Sequence, residues 1–110
     1  MSSVLREAET WLPLDVDESD YVPVDFADKI GAGSDDTIAS VVVTCEALEG
    51  ADADASARIS GSAQVSGTLV RQLVAGAQVD VTYLIRFRAT LTPSGRIVVI
   101  AGRLPVVREA

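Results

Sequence analysis

The side chains in this chain most able to do chemistry are carboxylates. Asp15, Asp17, Glu18 and Asp20 fall within one short run, and hard cations such as calcium draw about six to eight oxygen ligands from clusters of this kind. The run lacks the glycine and the closing glutamate of an EF-hand loop, so it reads as a solvated acidic segment and no metal site is assigned. Asp35, Asp36 and Thr37 are a second oxygen-rich group, for which aspartate bonding to its own turn backbone is a sufficient explanation. The chain has no histidine, which removes imidazole catalysis. A nucleophilic serine would need a lysine base, and Lys29 is the only lysine. Cys45 is the only cysteine, so neither a disulfide nor a thiolate zinc site can form within one chain. Gly31-Ala32-Gly33 lacks the third glycine and the strand-helix-strand setting of a dinucleotide loop. No catalytic residue, cofactor or metal is therefore assigned, and an enzyme is the reading with least support. The side chain singled out for a functional role is Trp11, the only tryptophan, because an indole in an acidic arm suits an anchor in a partner's pocket; packing back on its own sandwich is an equal alternative.

The elements that must position these residues are strands. Sixteen valines, six isoleucines and seven threonines favour pleated surfaces over helices. Residues 1–20 read as an extended N-terminal arm, with room for a helical turn near Val4–Thr10, since Pro13 discourages a helix at Trp11-Leu12. Residues 21–110 read as the folded domain. Val22, Val24 and Phe26 alternate with Pro23 and Asp25, an edge strand. After the turn chemistry of residues 31–36, a strand over Thr37–Glu46 places Val41, Val43 and Cys45 on one face and Ile38 and Val42 on the other. Residues 47–57 read as a loop, Arg58–Ser60 as a short strand ended by Gly61, and Gln64–Val74 as one further strand. The clearest alternation runs from Gln78 to Thr90: Val79, Val81, Tyr83, Ile85, Phe87 and Ala89 form an apolar face, and Leu84, Arg86 and Arg88 lie on the opposite one. Thr92-Pro93-Ser94-Gly95 turns the chain into a partner strand over Arg96–Val107. That strand is apolar on both faces at Ile97–Ala101, which one wet face cannot explain, so the N-terminal arm, the other layer of a sandwich or another subunit must cover it. Six or seven short strands separated by turns imply an all-β chain, a single immunoglobulin-like β-sandwich carrying the arm.

Composition narrows the function. The chain is 110 residues long, 48% hydrophobic, with a net charge of −7 and a pI near 4.3. One core fits that length, and an acidic chain without clustered bases is not expected to bind nucleic acid. No apolar run is long enough for a membrane helix, and the first ten residues have neither the basic start nor the apolar stretch of an export signal. Charge is unevenly divided: residues 1–54 hold fourteen acids against Arg6 and Lys29, and residues 55–110 hold seven arginines against Asp80 and Glu109. Either the two halves neutralise each other within one fold, or a subunit with an acidic side and a basic side packs against copies of itself in a ring. The contact residues expected are Trp11 and Leu12 in the arm, the outward row Leu84, Arg86 and Arg88, and Val98 and Ile100 on the second face of the last strand.

Gly33-Ser-Asp-Asp-Thr-Ile-Ala-Ser40, preceded by an Asp-Phe strand over Val24–Asp28 and followed by a valine strand, resembles a family of tailed-bacteriophage proteins. These are the fiber-tail adaptor or neck-type structural proteins, short chains with a G-D-T-I-x-S signature. Gly67-Thr-Leu-Val70, Ala75-Gly76 before the long strand, and the Ser94-Gly95-Arg96 turn fit the same pattern, so the resemblance covers residues 20–107. It implies an immunoglobulin-like virion protein, made in the host cytoplasm, that joins neck or tail to fibers or neighbouring tail proteins and has no enzymatic activity. A capsid decoration or cement protein is the alternative, distinguished by hundreds of copies per particle in place of tens or fewer. A carbohydrate-binding or adhesion module is weaker still, since Trp11, Tyr21 and Tyr83 are too few to build aromatic platforms.

Overall fold

The computed structural model describes residues 9–11 and 13–108. The helical turn expected near Val4 therefore lies almost wholly outside the described residues, as does Leu12. The chain is an all-β sandwich of two packed sheets. Its elements in order are β1 (Glu9–Thr10), β2 (Leu14–Asp15), β3 (Asp20–Asp25), the single-turn helix α1 (Ala27–Ile30), β4 (Thr37–Glu49), a 3₁₀ turn (Ala55–Arg58), β5 (Ile59–Ser66), β6 (Leu69–Val74), β7 (Thr82–Thr92) and β8 (Ile97–Val107). The large sheet runs β1-β8-β7-β4, with β2 also on β8, and the small sheet runs β3-β6-β5.

Alternation in sequence becomes the two faces of each sheet. In β7, Tyr83, Ile85, Phe87, Ala89 and Leu91 are buried while Arg86 and Arg88 are exposed. Cross-strand partners share a face, so the pairs Tyr83↔Leu104, Phe87↔Ile100 and Ala89↔Val98 all point into the sandwich. They meet Val22 and Val24 of β3 and Val70 and Val74 of β6 in the core. Gln72 is the buried polar exception there, and its amide donates to the carbonyls of Ser60, Gly61 and Leu73, which removes the cost of burying it.

Four expectations need correction. The stretch Gln64–Val74 is two strands, since Gly67 and Thr68 form a hairpin loop joining β5 to β6. Gly67 takes φ +62, the conformation that a two-residue hairpin of type II′ requires at its first loop position. Gly61, read as a strand end, lies inside β5, where the ladder is irregular between Ser60 and Gln64. The long strand begins at Thr82, because Asp80 adopts φ +64 and breaks the extended run. Finally, Ile38 packs against the core on the same side as Val41 and Val43: a register shift between Ile38 and Ser40 reverses the parity of β4, as an extra residue in a strand must.

Candidate functional site

The outer face of the large sheet is built by the residues that alternate with the core. Arg88 pairs Val42 on one side and Val99 on the other, Arg86 pairs Thr44 and Ala101, and Leu84 pairs Glu46 and Arg103. Leu84, Arg86 and Arg88 thus form one row, as the alternation predicts, with Arg86 and Arg88 exposed and Leu84 half-buried. Val42 is 53% exposed beside Arg88, and Val99 and Ala101 are half-buried, so the face mixes aliphatic surface with guanidinium groups. Among the described residues the ion pairs are Arg58–Asp52 and Arg96–Asp36, and neither involves this row. The acids Asp17, Glu18, Asp20, Asp25 and Asp28 lie exposed along and beside β3, at the edge of the other sheet.

The remaining predicted contact residues stand elsewhere. Val98 and Ile100 were expected on the outer face of β8, but they pair Ala89 and Phe87 and pack against the core. The outward positions are Ile97, Val99 and Ala101. Apolar character on both sides of the strand gave no way to choose between the two phases.

Trp11 is likewise engaged within its own fold. β1 and β2 add to β8 in parallel, Glu9 opposite Gly102 and Leu14 opposite Val106, and Leu14 is buried. The Trp11 indole lies over Gly102 and meets Phe87 edge-on at 6.3 Å and 67°. Its Nε1–H donates to the Pro23 carbonyl at 3.1 Å. Because Pro23 belongs to the small sheet and the segment holding Trp11 pairs with the large one, the indole closes that side of the sandwich. It also lines a groove of about 400 Å³ together with Pro13, Leu104, Glu18 and Asp20.

Two polar clamps, not anticipated from sequence, hold the loops. Asp52 accepts from Arg58 Nε at 2.8 Å and Nη2 at 3.0 Å, and from the Tyr83 hydroxyl at 2.5 Å; the Gln78 backbone N–H donates to that hydroxyl at 2.8 Å. The Arg58 and Tyr83 bonds hold the Asp52 carboxyl well below the usual carboxylate range, and the same carboxylate keeps Arg58 firmly charged. Burial, aided by Asp52, raises the Tyr83 phenol. A tyrosine on an apolar face needs a partner for its hydroxyl, a signal that could have pointed to some acceptor but not to Asp52. At the other end, Asp36 accepts from the Ser94 hydroxyl at 2.6 Å and from Arg96 Nε at 3.1 Å, and Arg96 Nη2 donates to the Ile30 carbonyl at 2.7 Å. Asp36 is thus bonded across the fold, beyond its own turn.

Asp15 and Glu18 accept from backbone N–H groups of their own turn, Asp17 to Asp15 and Asp15 to Glu18, each at 2.8 Å. Cys45 is buried, and burial with nearby Asp52 pushes its thiol up to about 11, which leaves it protonated and a poor nucleophile at neutral pH.

The clamps make stability acid-sensitive. Hydrogen bonds from Ser94 and Arg96 lower the Asp36 carboxyl, and the Ala27 N–H and Thr68 hydroxyl lower that of Asp25. A carboxylate lowered by folding contributes stability that is complete above its unfolded value, about 3.9, and is lost as pH falls through its folded value. Thermal melting is therefore expected to be flat from neutral pH down to about 5 and to fall steadily below about 4. Asp36→Asn is expected to melt lower than the wild type at pH 7, with the gap closing at low pH. A gap that stays constant across the titration would show that Asp36 is not held by these bonds.

Comparison with family models, with curated proteins and with solved structures finds no match for the chain.

Proposed function

We propose that this chain is an immunoglobulin-like structural subunit of a tailed-phage virion, an adaptor joining neck or tail to fibers or neighbouring tail proteins. The observation that carries the reading is the outer face of β4, β7 and β8, where Arg86 and Arg88 stand exposed among Val42, Val99 and Ala101. Arginine interleaved with aliphatic surface is the composition of a protein contact, and the acids along β3 give a neighbouring copy the opposite charge. Copies set around a symmetric tail would each contribute a modest interface, and simultaneous engagement would make the assembly tight.

The strand order supports the immunoglobulin-like part of the reading. From β3 onward the sheets run β3-β6-β5 and β8-β7-β4, the order that the immunoglobulin sandwich gives its B-E-D and G-F-C strands. Tyr83 near the start of β7, bonded to the backbone of Gln78, has the geometry of the tyrosine corner of such domains. Two of the segments that resemble the phage family, residues 33–40 and Ser94-Gly95-Arg96, are also joined, through Asp36.

Assembly of particles supplied with an Arg86→Glu/Arg88→Glu chain tests the proposal. Both side chains are exposed, so the folded stability should change by no more than about 0.5 kcal/mol while incorporation into particles is lost. Normal incorporation and infectivity with the double variant would overturn it.

A further inference from the structure

Every open-ended sheet presents unpaired backbone groups at its edges, and proteins blunt them with proline, charge, bulges or covering segments. Among the described residues the two sheets have four edge regions, and three are treated in that way, β8 over its Gly102–Val107 half. β8 carries β1 and β2 along Gly102–Val107, with α1 packed beside it. β3 contains Pro23 between Asp20 and Asp25. β5 is interrupted between Ser60 and Gln64, with Gly61 at φ +71. The fourth, β4, is different. Its register shifts fall at Ile38/Ser40 and Ala47/Glu49, and between them the ladder to β7 is regular. From Thr37 to Cys45 the sequence TIASVVVTC contains no charge, proline or glycine. The 3₁₀ turn packs against β4 and Cys45 is buried, so the open stretch of the edge ends at Thr44.

Beside this edge the two sheets leave an open seam. A groove of about 370 Å³ runs there, lined by Val41, Val43, Ile59, Ala63 and Val65 among others; Val41 and Val43 are half-buried and Val65 is 46% exposed. We propose that Ser40–Thr44 pairs antiparallel with the same segment of a second copy, forming a two-fold dimer in which the large sheet continues from one subunit into the other. Antiparallel pairing of identical strands is self-complementary under a two-fold axis. The same residues supply both sides of the fit: the second copy's Val41 and Val43, pointing inward as their counterparts do, extend the apolar face over the seam. In a chain of net charge −7, a charge-free strip is where two copies meet without like charges opposed. The acids of β3 belong to a strand at the far edge of the other sheet.

Val42 and Thr44 adjoin Arg88 and Arg86 on the outer face, but the edge pairs through the β4 backbone and does not use the arginine side chains, so either proposal can fail while the other stands. Sedimentation velocity of the full chain from roughly 5 to 500 µM, a range that covers micromolar dissociation constants, should show a monomer–dimer equilibrium. Amide exchange at Ser40–Thr44 should slow as the dimer fills. Val42→Lys/Thr44→Lys places like charges opposite one another across the pair at positions already exposed. It should raise the dissociation constant at least about tenfold with circular dichroism unchanged and melting lowered only slightly, since each lysine also faces Arg88 or Arg86 within its own subunit. Arg86→Glu/Arg88→Glu should leave the dimer intact. A wild-type chain that stays monomeric throughout, or a dimer that survives the lysine pair, would overturn the assignment.

Discussion

Replacing Phe87 by alanine is expected to lower the unfolding free energy by about 3–5 kcal/mol, the largest loss foreseen for a single truncation here. Phe87 is fully buried in the middle of β7, between its cross-strand partners Val43 and Ile100, and it meets the Trp11 indole in a T-shaped contact. The cost of such a change depends on whether the surroundings can collapse into the space left behind. Here β7 is held by ladders on both sides, and the indole is fixed by its bond to Pro23, so the cavity should persist. Urea unfolding should show the loss as a lower midpoint with the slope of the transition retained. Tryptophan emission should shift in the native baseline of the variant, because the ring Trp11 packs against has gone. A loss below about 1 kcal/mol would mean that the two sheets are less closely packed around Phe87 than the burial implies.

What could be read from the sequence follows from how local the relevant physics is. The faces of β7 were legible because one strand with period two defines its own inside and outside: Tyr83, Ile85 and Phe87 against Leu84, Arg86 and Arg88. β8 could not be read in that way, since Ile97–Ala101 is apolar at every position and only its register with β7 shows that Val98 and Ile100 face inward. The β5–β6 hairpin was hidden because Gly67-Thr68 sits in a stretch where Val65 and Leu69 both remain exposed, so hydrophobicity does not mark where the chain reverses. Ile38 was misplaced by one extra residue, which periodicity alone cannot detect. The clamps were beyond reach for another reason: Asp52 meets Tyr83, and Asp36 meets Ser94, across dozens of intervening residues. Trp11 illustrates the same limit. An indole suits a partner's pocket and its own core equally well, and the choice is made by Pro23 on the next full strand and by Gly102 near the other end of the chain.

Gly102 supplies the second large effect. A Cβ added there would lie 2.5, 2.7 and 2.9 Å from three atoms of the Trp11 ring, closer than any such contact can be, so Gly102→Ala must displace the indole or the strand beneath it. β8 is held by β7 at that point, through Gly102↔Ile85, and it is the segment bearing Trp11 that should give way. Overpacking of this kind costs about 1–3 kcal/mol. It should be accompanied by a red shift of tryptophan emission as the ring moves into water and its bond to the Pro23 carbonyl breaks. A double-mutant cycle separates this from a simple effect on β8. Once Trp11→Ala has removed the ring, the extra methyl at residue 102 has nothing to meet, so the second substitution should cost little and the two losses should be strongly non-additive. Additive losses would place the clash elsewhere and would return the indole to the role first suggested for it, an anchor for a partner.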